Sequence, residues 1–114
     1  MVERWVDVGD ASSMRRRNRA RPFEASHCGI LVCNLDGKLY AIADVCTHDG
    51  GCLEGGRIRD AAVECHRHGA RFDVRDGSVK APPAVLPIAS YPVRVVDKRI
   101  EVLLPEDGMS EDAP

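Results

Sequence analysis

A chain of 114 residues and 12.5 kDa has room for one domain and gains nothing by splitting. Apolar residues make up 44% of it but aromatic ones only 4%, so Val, Ile, Leu and Ala must fill the core. A formal net charge of -2 supplies no field to recruit nucleic acid or an anionic membrane surface, and no window approaches the length of apolar run needed to span a bilayer.

From the start, Met1 to Asp10 mixes Glu3, Arg4 and Asp7 among its apolar residues and does not read as a signal peptide. Short strand-like runs then alternate with turn residues: Trp5 to Val8, Phe23 to Cys33, Leu39 to Ala43, Ala61 to Cys65, Tyr91 to Val96 and Ile100 to Leu104. This is the rhythm of an all-β domain. Trp5 is expected to anchor a sheet by packing. Ala11 to Arg19 offers no more than a short, exposed turn or two. Arg15, Arg16, Arg17, Arg19 and Arg21 lack interleaved aromatics and read as a solvated loop, one able to steer an acidic partner. Asp36-Gly37 and Asp76-Gly77 suit tight turns, and Asp97-Lys98 should close a hairpin. In the last strand Ile100, Val102 and Leu104 fall on one side, opposite Glu101 and Leu103. We therefore expect one domain over residues 1–105 and a mobile acidic tail over 106–114, which holds four acids and no base.

Two glycine-rich or histidine-rich segments break the strand rhythm, Cys46 to Arg57 and Cys65 to Phe72. They hold Cys46-Thr47-His48, then Cys52, then Cys65-His66-Arg67-His68. A thiolate and an imidazole two or three residues apart can both point at one ion from a tight loop, and two such loops close a site. The residues alone leave choices open. Cys2His2 is also a zinc set, although Cys-x-x-Cys and a helix with two histidines are both missing, and a metal that only staples an interaction module is the rival from another class. His66 and His68 are both imaginable partners for Cys65. Cys28 and Cys33, with His27, lie in an expected strand, where a free cysteine is usually a small buried hydrophobe. Five cysteines cannot all pair within the chain, which favours thiolate ligands and a cytoplasmic, reducing compartment.

The pattern C-x-H, sixteen residues, C-x-x-H resembles the Rieske iron-sulfur family. The resemblance extends over Gly50, Gly51, Gly55, Gly56 and Gly69, the Pro82-Pro83 segment and Tyr91-Pro92-Val93, about Gly37 to Leu104 in all. It implies a Rieske fold of stacked antiparallel sheets, with a small cluster-binding subdomain of two loops over about residues 44–74. It also implies one 2Fe-2S cluster per chain, with Cys46 and Cys65 on one iron and His48 and His68 on the other, and it chooses His68 over His66. Glycines near the ligands would let backbone N–H groups approach the sulfides, and Pro82-Pro83 would cover the cluster as a stiff lid. In quinol-oxidising members the second loop reads C-x-C-H and a disulfide joins the loops. Here the inner position is Arg67, so Cys52 is expected to be a free thiol. Those members also carry Ser and Tyr donors where this chain has Ala70 and Phe72.

Within the family, the chain ends soon after its last strand and shows no membrane anchor, so the resemblance implies a soluble one-electron carrier. It would pass electrons from an NAD(P)H-dependent flavin reductase to a terminal oxygenase of a dioxygenase system, binding no organic substrate, nucleic acid or membrane itself. The alternative within the family is the small subunit of an NAD(P)H nitrite reductase. Partners should dock over the outer ring nitrogens of His48 and His68, with Asp49 and Arg67 on the rim.

Overall fold

The computed structural model describes residues 3–15, 19–23, 29–53 and 57–105. The expectations for Arg16, Arg17, His27, Cys28, Gly55, Gly56 and the tail fall outside them. Among the described residues the strands are β1 (Glu3–Asp10), β2 (Arg19–Phe23), β3 (Ile30–Leu35), β4 (Lys38–Ala43), β5 (Ile58–Arg59), β6 (Ala62–Glu64), β7 (Arg71–Asp73), β8 (Val79–Ala81), β9 (Ser90–Tyr91), β10 (Val93–Val96) and β11 (Arg99–Pro105). They pair antiparallel into three sheets, ordered β1-β11-β10, β2-β3-β4-β9 and β5-β6-β7-β8.

The second sheet is the middle layer, and β3 reveals it. A strand covered on one face alternates buried and exposed residues, whereas Ile30 to Asn34 are all buried. Leu31 and Cys33 point into a core with Ile42, Val63, Phe72 and Val74, and Ile30 and Val32 into another with Met14, Ala41, Ile100, Val102 and Leu104. The first core joins the middle sheet to β5-β6-β7-β8. The second joins it to β1-β11-β10, where the expected period-two face of β11 is the buried one. Trp5 on β1 packs under the Arg94 guanidinium at 4.0 Å from its ring centre.

The turns show why the strands end where they do. Asp36-Gly37 joins β3 to β4 and Asp97-Lys98 joins β10 to β11, all four residues at positive φ as two-residue hairpins require. Three expectations need correction. Arg19 and Arg21 do not lie in a loop but on β2, paired with Asn34 and Val32 of β3. Phe23 to Cys33 is not one strand, since β2 and β3 are antiparallel partners and the chain reverses between them. Nor is the segment after β1 wholly exposed. Ala11–Met14 forms a single 3-10 turn capped by Asp10, whose side chain accepts the Ser12 N–H at 2.8 Å, and Met14 is buried. The apolar Met14 side chain seeks the core, and the Asn34 side-chain amide donates to its carbonyl.

Candidate metal centre

The two segments that broke the strand rhythm fold alike. The first follows β4, and the second joins β6 to β7. In the first, the Cys46 N–H donates to the Gly51 carbonyl at 2.8 Å, and the Cys46 carbonyl accepts the Gly50 N–H at 2.7 Å. In the second, the Cys65 N–H donates to the Ala70 carbonyl at 2.7 Å, and its carbonyl accepts the Gly69 N–H at 2.8 Å. Gly50 and Gly69 hold equivalent places, at φ +77 and +81, a conformation that a Cβ disfavours. Each loop thus turns tightly around a cysteine, with its histidine carried at the tip.

The first loop is closed at its base by Asp44, which is buried and accepts the Leu53 N–H at 2.6 Å. A flank comes from the Pro-rich segment, where Thr47 Oγ1 donates to the Leu86 carbonyl at 2.6 Å. Ala84 and Ile88 anchor that segment in the same core as the two cysteines, while Pro82 and Pro83 stay exposed. These contacts place the segment beside the first ligand loop.

The geometry separates the donors by kind. Cys46 and Cys65 are fully buried free thiols, and His48 and His68 are exposed, with ring centres 4.9 Å apart and planes at 80°. One sulfur from each cysteine and an Asp49 oxygen lie within 4.8 Å of one another, as do His48, Asp49 and His68. Burial pushes the Cys46 thiol up, against backbone N–H groups of His48 and Asp49 that donate to its sulfur and favour the thiolate. Hydrogen bonds from Arg67, joined by the Gly51 N–H, hold the Asp49 carboxyl well below the usual carboxylate range. Two soft sulfur donors inside and two imidazoles at the mouth fit a two-iron cluster that is ligated unevenly at its two ends.

The structure brings Cys46, His48, Cys65 and His68 together and sets the alternatives apart. His66 lines a cavity of about 390 Å³ with Arg57, Arg59 and Glu64. Cys33 is buried in the middle sheet, where burial pushes its thiol up to about 12. Cys52 overturns an expectation: it is disulfide-bonded, not a free thiol. Spacing within the ligand loops offers Cys52 no partner, since position 67 is an arginine. Cys33, Cys46 and Cys65 are free, so the bond spares both ligand thiols. Asp44 and Thr47 escaped sequence reading, since an Asp two residues before a cysteine or a Thr after it carries no distinctive spacing.

Comparison with known proteins gives a consistent result. The Rieske [2Fe-2S] domain family matches residues 4–92. The ferredoxin component of biphenyl 2,3-dioxygenase from Rhodococcus jostii is 41% identical over 73 residues, 64% of this chain and 68% of that one. The Sphingomonas yanoikuyae ferredoxin superposes with a TM-score of 0.80 at 26% identity, covering 90% of this chain and 100% of its own. A chain from the complex of reduced oxygenase and oxidized ferredoxin in carbazole 1,9a-dioxygenase gives 0.75 at 28% identity, covering 86% and 91%. Among the described residues no helix is long and apolar enough to cross a membrane.

Proposed function

The chain belongs to the Rieske 2Fe-2S family, and from that membership we propose that it is the ferredoxin of a dioxygenase system, carrying single electrons from an NAD(P)H-dependent flavin reductase to a terminal oxygenase. The observation that carries this reading is the pair of exposed imidazoles over two buried thiols, held by loops of matching shape. A Rieske cluster supplies a one-electron site there. Cys46 and Cys65 would hold one iron as thiolates, and His48 and His68 the other as neutral imidazoles.

The chain's own residues do the rest. Core packing around Cys46 and Cys65 keeps water from the sulfur end, and backbone N–H groups of His48 and Asp49 offset charge on the Cys46 sulfur. At the other end, exposed His48 and His68 give an electron the shortest path to a docked protein, so partners should meet this face. The relatives named above as ferredoxins favour the carrier over a nitrite reductase subunit. A cytoplasmic location accords with NAD(P)H as the electron source.

The test is reconstitution. The purified protein should contain two irons and two acid-labile sulfides, be reduced by NAD(P)H only with a flavin reductase present, and restore turnover to a terminal oxygenase. A colourless zinc protein, or a brown one that serves only nitrite reduction, would overturn the proposal.

A further inference from the structure

We propose that Arg67 is a positioning residue, a latch that holds the two ligand loops together; this rests on the ligand assignment above. Arg67 belongs to the second loop, yet the described hydrogen-bond partners of its side chain belong to the first. Its Nε donates to Asp49 Oδ2 at 2.7 Å and its Nη2 to Asp49 Oδ1 at 3.0 Å, a two-pronged pair. Its Nη1 donates to the Cys52 carbonyl at 2.7 Å. The carboxylate is itself fixed, because Oδ1 also accepts the Gly51 N–H at 2.9 Å.

Gly51 completes the fit. A Cβ there would lie 2.8 Å from the guanidinium carbon and 2.7 Å from Nη2, inside contact distance. The guanidinium therefore lies across the only residue type that leaves it room, between its two partners at positions 49 and 52. An exposed ion pair alone contributes little, but a planar fork with all three nitrogens engaged fixes direction as well as distance, which a lysine ammonium cannot copy. Arg67 thus acts through Asp49 and Cys52 to keep the His68 loop in register with the His48 loop.

The experiment follows cluster loss from the holoprotein, by visible absorbance, under excess iron chelator, together with the electron paramagnetic resonance spectrum of the reduced protein. R67K keeps the charge and loses the fork. G51A pushes only the end of a flexible side chain, so it disturbs the latch with little risk to the fold. Both should lose the cluster about tenfold faster than the parent and shift the g-values, as losses of supporting contacts around metal ligands do. R67A/D49A should lose it more slowly than the product of the R67A and D49A effects, because the pair they share is broken only once. Loss rates and spectra unchanged in both R67K and G51A, or single effects that multiply in the double variant, would overturn the latch. The ligand assignment fails on a different result, retention of the cluster by His68→Ala, which leaves the R67K and G51A rates to judge the latch separately.

Discussion

Gly77 lies directly against Ile88: its carbonyl accepts the Ile88 N–H at 2.9 Å, and a Cβ on Gly77 would overlap the Ile88 carbonyl oxygen. Its φ of +80 adds a second reason for glycine. Since Ile88 ends the Pro-rich segment that flanks the first ligand loop, Gly77→Ala should both strain the turn and lift that segment. We expect a loss of stability on the order of 3 kcal/mol, read from the shift of the denaturation midpoint, with faster cluster loss. A midpoint equal to the parent's would show that the segment yields freely.

Cys46, His48, Cys65 and His68 should form the complete ligand set, with Cys33, Cys52 and His66 dispensable. Single alanine variants, assayed for iron, sulfide and the reduced-state spectrum, test this. Variants of the four should also unfold more easily, because metal closes loops of little apolar content. If His66→Ala loses the cluster while His68→Ala keeps it, the assignment is wrong.

The reduction potential should lie near the low end of the Rieske range, about -150 mV on a scale reaching about +300 mV. Ala70 and Phe72 are both fully buried in the core that holds Cys46 and Cys65, and neither side chain can donate a hydrogen bond to the cluster. Arg67 pulls the other way as a nearby cation, but it is paired with Asp49, which cancels much of its field. The disulfide of Cys52 does not join the two ligand loops, since Cys65 is the only cysteine of the second loop and is free, so it leaves the hydrogen-bond argument untouched. Voltammetry near neutral pH should find A70S/F72Y above the parent. No rise would mean that these positions do not face the sulfurs.

Ala61 sits at φ +64 in the turn between β5 and β6, a left-handed conformation that alanine adopts at a cost. Ala61→Gly should therefore stabilise the protein by about 1 kcal/mol, less what the freer unfolded chain gives back. Thermal melting of the holoprotein measures it, and a lower melting temperature would contradict the strain argument.

The same turn shows where sequence reading stopped. β5, β6, β7 and β8 are two or three residues long, too short for a period to register, and Asp60-Ala61 carries no glycine to announce a turn. Of these, only β6 coincides with a strand-like run, Ala61 to Cys65. The ligand loops were legible because their chemistry is local: Cys46 with His48, and Cys65 with His68, are spaced by what one loop can bring to one ion. Asp49 and Arg67 could be seen as neighbours of the ligands, but not as each other's partner. Their contact joins residues 18 apart and exists only once both loops are folded. Cys52 failed for the same reason, since a disulfide partner is set by the fold and not by spacing.

Because β3 sends Leu31 and Cys33 to one side and Ile30 and Val32 to the other, heat tolerance and redox chemistry can evolve separately in this chain. Changes packed around Ile100, Val102 and Leu104 alter how long the scaffold survives while a whole sheet stands between them and the cysteines. Distant sites of this kind combine almost additively. A lineage moving to a warmer habitat could then rebuild the outer layer without renegotiating its potential or its redox partners.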